Sequence, residues 1–179
     1  IGSSPPDVLL GNAQPDWLGG CSNTLTYKDF SMSFLIDARM GGQVYSQTSA
    51  DMDRNGVSQR SLQYRESGVV VAGTNTGTGA ANTESITGQQ YWTSMSDISE
   101  NYIFDQDNIR LRELAIGYKI PVGSKFGLQS ATVQLVGRNL FFLMNKADDI
   151  DPESMLGTSI GVQGLSHNAM PTLRSIGLN

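Results

Sequence analysis

From Ser31 to Met40 the chain alternates. Met32, Phe34, Ile36, Ala38 and Met40 are apolar, and of the residues between them, Ser31, Ser33, Leu35, Asp37 and Arg39, four of five are polar. Period two over ten residues predicts a β-strand with one dry face and one wet face. A helical stripe through Met32, Leu35 and Ile36 would run into Arg39. The stretch 22–28 predicts a partner strand, joined through a tight turn at Lys28-Asp29. Further strands are predicted at 109–119 and 131–143, with Pro121, Gly123 and Gly127 in the turn region between them, and a last strand starts after Pro171. Residues 1–19, with Pro5, Pro6, Pro15 and Gly11, Gly19 and Gly20, predict a loop.

The segment 109–121 reads IRLRELAIGYKIP. Strict alternation puts Arg110, Arg112, Leu114, Ile116 and Tyr118 on one face, and Glu113 and Gly117 on the other. The first face is then charged at one end and hydrocarbon at the other, as a depth profile across a membrane would require. Val133, Leu135 and Phe141 share one face of 131–143, against Thr132, Gln134 and Arg138.

Between the strands lie two long polar stretches. Residues 43–107 are rich in Gly, Ser, Thr, Asn and Gln, and 74–88 approaches low complexity. Within them, Thr87 followed three residues later by Gln90 predicts a capping box and a helix of about two turns. Residues 144–170 are acidic and glycine-rich. Strands of about ten residues exceed the usual 5–6 and match the 9–11 of a tilted membrane-spanning strand. Short connections alternating with long ones suit an outer-membrane barrel, which has short turns on one side and long loops on the other. A soluble sandwich would space its strands more evenly.

Composition narrows the classes. The net charge of −5 over 179 residues lacks the basic footprint of a nucleic-acid partner. No run of 18 apolar residues exists, which excludes a membrane-spanning helix and leaves a β-barrel open. Cys21 is the one cysteine, so no internal disulfide or CxxC motif forms. Leu18-Gly19-Gly20-Cys21 has the outline of a lipoprotein cleavage site, but prolines and aspartates precede it where a basic and then an apolar region would stand.

Candidate chemistry is sparse. Asp51, Asp53, Asn55 and Gly56 match the start of a calcium loop, D-x-D-x-N-G; the twelfth position is Leu62 instead of a bidentate Glu, and a solvated turn is the competing reading. Asp148, Asp149, Asp151 and Glu153 form an acidic cluster around Pro152; metal binding or work as paired carboxylates is one reading, and a solvated turn after a strand, ended by Pro152, is the preferred one. His167 has no second His or Cys with which to bind zinc, and no nucleophile motif accompanies it. Gly73, Gly77 and Gly79 lack the strand–helix context of a phosphate loop. Trp17, Tyr91 and Trp92 are the candidate ligand contacts, because aromatic faces stack on sugar rings; loop packing for Tyr91 and Trp92 and a membrane-interface anchor for Trp17 are the competing readings. Nothing indicates an enzyme or a cofactor.

The blocks GNAQPDWLGG (11–20), LTYKDFSMSFLIDARMGGQVYS (25–46), ENYIFDQDNIRLRELAIGYKIP (100–121), VGRNLFFLMNKADDIDPES (136–154) and NAMPTLRSIGLN (168–179) fall in one order along the chain. In that order the sequence resembles the C-terminal part of SusC/RagA-type TonB-dependent transporters of Bacteroidetes outer membranes. The resemblance implies an all-β fold: an antiparallel transmembrane β-barrel segment, about the last five strands of a 22-stranded barrel, with long extracellular loops. Residues 1–179 would be the C-terminal part of the barrel domain, without its plug and with the last strand truncated. The implied activity is import of large nutrients, glycans or peptides, across the outer membrane. The implied partners are the rest of the barrel and plug, a SusD-like surface lipoprotein, the TonB complex acting through a segment outside this chain, and outer-membrane lipid. Lipid-facing candidates are Met32, Phe34, Ile36, Ala38, Leu114, Ile116, Val133, Leu135 and Phe141. The alternative is a soluble, lectin-like β-sandwich binding module, in which those same residues would meet in a closed core between two sheets.

Overall fold

A computed structural model describes residues 8–122, 130–147, 150–157, 159 and 162–179. Strands β1 (Trp17–Tyr27) and β2 (Phe30–Met40) form a hairpin in full register, from Trp17 opposite Met40 to Tyr27 opposite Phe30. The turn is the predicted Lys28-Asp29, with Lys28 at φ 54°. Two further long strands follow the first polar stretch, here β7 (Asn108–Ile120) and β8 (Ala131–Asn145), and a short one, β10 (Ser175–Leu178), ends the chain. Together they make one antiparallel sheet in the order β1-β2-β7-β8-β10. The predicted strands are all present; β1 starts at Trp17, inside the stretch expected to be loop, and β10 starts at Ser175, later than Pro171 suggested. The turn glycines Gly123 and Gly127 lie outside the described residues.

The register makes one face apolar across all five strands, because directly opposed residues share a face. Met32 stands opposite Leu25 and Ile116, Ile116 opposite Leu135, and Leu135 opposite Leu178. One step outward, Phe34 stands opposite Asn23 and Leu114, and Ile36 opposite Cys21 and Leu111. Among the described residues no second layer covers this face: Leu135 is 50% exposed, Phe141 50% and Ile176 69%. The closed core that a sandwich would build from Met32, Phe34, Ile36, Leu114, Val133 and Leu135 is not formed, since these residues lie side by side on one sheet. At a rise of about 3.3 Å per residue, an 11-residue strand such as β2 runs roughly 36 Å, enough to cross a ~25 Å apolar band at a barrel tilt.

The opposite face is polar: Thr24, Ser33, Asp37, Arg39, Glu113, Gln134 and Arg138 lie on it. Strict alternation fails on β7 at one residue, and that failure moves two charges; the β7–β8 pairing is irregular there and again between Ile109 and Arg110. On β7 the register slips between Leu111 and Glu113: Leu111 pairs with Ile36 and Glu113 with Leu35, so Arg112 is a bulged extra residue. A bulge resets the side-chain alternation. Arg110, opposite Asp37, and the bulged Arg112 therefore both serve the polar face, while Leu114 and Ile116 stay on the apolar one. The single-face reading of Arg110, Arg112, Leu114 and Ile116 is corrected on this point. The arginines do not share the apolar face with Leu114 and Ile116.

The protein's buried core lies elsewhere, in the unit built from 41–107 and the last connection. Here a small sheet is ordered β6-β3-β9: β3 (Gln43–Ser46) pairs antiparallel with β6 (Ile103–Asp105) and parallel with β9 (Leu165–Ser166). Tyr45 opposite Leu165 thus ties the two polar stretches into one body. Helix α1 (Gln47–Arg54) begins at Ser46, whose hydroxyl accepts the Ser49 N–H. Helix α2 (Gly88–Ser96) begins at Thr87 with the predicted capping box to Gln90. Short 3-10 turns at Arg60–Leu62 and Ser99–Tyr102 and a two-stranded hairpin, β4 (Val69–Val70) with β5 (Ser85–Ile86), complete the unit. Val44, Ala50, Trp92 and Tyr102 are its buried apolar centre.

Candidate functional site

The densest chemistry sits on the polar face of the sheet, where Asp151 and Glu153 reach back to β7. Arg110 Nη1 donates to Glu153 Oε2 at 2.6 Å, and its Nη2 lies 3.3 Å from Asp151 Oδ2. Arg112 Nε donates to both oxygens of Asp37 at 2.9 Å, and its Nη1 donates to Glu153 Oε2 at 2.8 Å. Its Nη2 also donates to Glu153 Oε1. The Arg110 guanidinium stacks 4.0 Å from the Phe142 ring centroid. The Arg110 and Asp151 side chains are only 5% and 6% exposed, so both charges have left water and depend on each other. Two forked guanidinium groups suit this role, because each offers several donors in a fixed plane.

Asp151 has a second duty. Its Oδ2 accepts from Thr172 N at 2.9 Å and from Thr172 Oγ1 at 2.5 Å, and its Oδ1 accepts from Glu153 N at 3.1 Å. Burial alone would raise its pKa; the two hydrogen bonds from Thr172, the Glu153 N–H and the Arg110 charge outweigh burial and hold the carboxyl below its ordinary value. The expectation of a solvated turn is corrected for Asp151 and Glu153, which are paired and largely buried; Asp148 and Asp149 lie outside the described residues. Between this segment, β1 and the 13–15 stretch lies a hollow of about 500 Å³, lined by Pro15, Leu18, Arg39, Glu153 and Met155 among others.

A second buried cluster holds the unit built from 41–107 and the last connection together. Asp53, fully buried, accepts from Tyr102 Oη at 2.8 Å and from Ser58 Oγ at 2.5 Å, and pairs with Arg60 Nη2 at 2.6 Å. Arg60 also lies over the Tyr102 and Trp92 rings, at 4.9 and 5.8 Å. Burial first, then the hydrogen bond to Asp53, pushes the Tyr102 hydroxyl well above its usual range.

These contacts fix where the sequence candidates stand. Asp51 and Asp53 lie on α1, two residues apart and therefore on different sides of the helix. Asp53 is committed to the buried cluster, Asp51 accepts from Gln47 Nε2 at 2.9 Å, and Asn55 caps the helix and donates its side chain to Asp51 O. The three are not brought round one point. Among the described residues no group of three or more His, Cys, Asp or Glu side chains converges as a metal site. His167 Nε2 stands 3.8 Å from Asp51 Oδ2, half exposed. Trp92 is 8% exposed and donates its indole N–H to Gln63 O at 3.2 Å. Tyr91 packs edge-on against Trp92 and Tyr64. Trp17 is 55% exposed at the outer end of β1, opposite Met40, and its ring lies over the position where Gly19 has no side chain.

The arginine–carboxylate cluster was missed by pattern reading. Its signal was an Arg-x-Arg pair inside an apolar strand, with an acidic stretch some forty residues on that had no partner of its own.

No family model matches the sequence. The chain is similar to two curated proteins of Formosa agariphila. TonB-dependent receptor P3 is 24% identical over 180 residues, which cover 96% of this chain and 17% of that receptor. TonB-dependent receptor P26 is 30% identical over 192 residues, which cover 99% of this chain and 18% of that receptor. The fold, a mostly β chain with an uncovered apolar sheet face, and this similarity together relate the chain to TonB-dependent receptors. It spans less than a fifth of the length of the relatives it matches.

Proposed function

We propose that the chain is wall and external loop of a SusC/RagA-type importer in the outer membrane, residues 1–179 being the C-terminal part of its barrel domain. The observation that carries this reading is the continuous apolar face shared by five antiparallel strands, backed by a polar face bearing ion pairs. In a barrel that apolar face meets lipid and the polar face meets the lumen. Edges β1 and β10 carry unpaired backbone groups that hydrocarbon does not tolerate, so both need further strands of the same barrel. Tyr27, Phe30 and Tyr118 gather at the β1–β2 turn, with Phe30 and Tyr118 rings 4.7 Å apart, as a periplasmic aromatic girdle. Trp17 is the matching anchor at the external end. The unit containing α1 and α2 then stands outside, beneath a SusD-like lipoprotein, while the TonB complex acts on a segment elsewhere in the protein. The cargo class is a large nutrient, glycan or peptide. Tyr91 and Trp92 act in packing the external unit, with Trp17 in the interface.

The test is to fractionate cells expressing the complete protein and to delete its gene. The expected result is recovery in the outer membrane, faster gel migration before boiling than after, and loss of growth on a polymeric glycan or peptide source. Recovery in the soluble fraction would end this reading.

A further inference from the structure

Three relations on the polar face combine into a statement about loop placement. Asp37 lies three residues inward of Met40 on β2, and Met40 stands opposite Trp17 at the outer end of the sheet. At about 3.3 Å per residue, Asp37 is roughly 10 Å along the strand from that end. The apolar face continues outward past this level through Ala38 opposite Ile109 and Met40 opposite Trp17. Arg112, which holds Asp37, also holds Glu153, and Arg110 holds both Glu153 and Asp151. The connection that leaves β8 at Asn145 therefore returns downward along the polar face before the chain enters β10.

We propose that residues 150–156 form an ion-paired strap folded into the lumen, below the outer membrane interface, as a fixed part of the channel's inner wall. This rests on the barrel placement proposed above. Several contacts make it a strap instead of a mobile flap. Asp151 binds Thr172, Ser154 Oγ donates to Met170 O at 2.8 Å, and Leu156 N donates to Leu165 O at 2.8 Å, so both of its ends are tied. Pro152, buried, stiffens the span between the two carboxylates. Met155 and Glu153 form one wall of the hollow shared with Leu18 and Arg39, and a ligand moving down the lumen passes this recess. The strap narrows the channel and adds an apolar and a charged contact to its mouth.

The experiment uses the complete receptor in intact cells with Cys21→Ser as background. Val57→Cys marks the external unit, and Met155→Cys marks the strap. Each is labelled with a small charged methanethiosulfonate and with a bulky polyethylene-glycol maleimide, the latter too large to cross the outer membrane. Val57→Cys is expected to react with both. Met155→Cys is expected to react with the small reagent and at least about tenfold more slowly than Val57→Cys with the bulky one, because access needs local opening of a tied segment. Adding Asp151→Ala and Glu153→Ala should bring the two bulky-reagent rates to within about threefold. Equal bulky-reagent rates at Met155→Cys and Val57→Cys without the release substitutions would overturn the strap and leave the membrane reading intact. So would failure of Met155→Cys to react with the small reagent. Val57→Cys silent toward the bulky reagent on intact cells and reactive with it after lysis would overturn the membrane placement itself. The comparison of the two single-site proteins decides the matter even if the released variant does not assemble.

Discussion

Arg112 Nε donates to both carboxylate oxygens of Asp37 at 2.9 Å, across strands, from a bulged position that alternation would have turned toward the apolar face. That contact fixes the bulge, and the bulge is why two arginines can live in an otherwise hydrocarbon strand. Replacing Arg112 by Ala leaves the part-exposed Asp37 without its partner and Glu153 with Arg110 alone, and is expected to cost about 1–3 kcal/mol, the range for removing a hydrogen-bond partner. Arg112→Lys keeps the charge but cannot fork to two carboxylates, and should fall between Ala and wild type. The readout is the temperature at which the folded, faster-migrating band disappears. Equal temperatures for wild type and Arg112→Ala would show that the cluster contributes nothing.

Acid should loosen the strap. Asp151 has a folded-state pKa held below its ordinary value, so its contribution is fully present above the unfolded carboxylate value of about 3.9. It is lost as pH falls through the lower folded value. Asp107, lowered by the hydrogen bonds from Lys146 Nζ and the Gly41 N–H, follows the same sign. Melting at stepped pH should show destabilisation below about pH 4, reduced in Asp151→Asn because that variant has already lost the titrating group. An identical acid profile in Asp151→Asn would assign the transition to other carboxylates.

The unit containing α1 and α2 should fail separately from the five-stranded sheet. Tyr102→Phe leaves one Asp53 oxygen with fewer donors at a fully buried site, a loss of about 1–3 kcal/mol. Limited proteolysis should then cut within 41–107 while the heat-shifted band persists. Loss of the band together with the new cuts would mean that unit and sheet unfold as one.

The capping box at α2 predicts a smaller effect. Thr87→Ala removes the hydroxyl that accepts the Gln90 N–H at 3.2 Å, worth typically ~1 kcal/mol. The same proteolysis assay should show a modest increase in cutting near 88–96, well below that of Tyr102→Phe.

Most of the five-stranded sheet was legible in the sequence because strand period and turn residues act locally. Met32 to Met40 alternate cleanly, Lys28-Asp29 makes the turn, and Thr87 with Gln90 makes the cap. Four things were not legible, each for a non-local reason. The bulge at Arg112 depends on what waits across the sheet, namely Asp37 and a carboxylate forty residues downstream. Helix α1 covers the D-x-D-x-N-G stretch because Ser46 caps it and Asp53 finds Tyr102 and Arg60, partners far away in sequence. The parallel pairing of Tyr45 with Leu165 joins two stretches that read as separate loops. Asp151 and Glu153 looked like a solvated turn because an acidic run shows its charge and hides its counter-ions.

The most direct measurement compares one arginine on each face of the sheet. Phe34 lies near the middle of β2 on the apolar face, and Thr24 lies on the polar face of β1. In the complete protein, Phe34→Arg is expected to cost about 2–4 kcal/mol of barrel stability, the value for a basic side chain facing the bilayer midplane, and to reduce the amount in the outer membrane. Thr24→Arg should assemble as wild type does. Equal assembly and equal melting of the two variants would contradict a lipid-facing apolar surface.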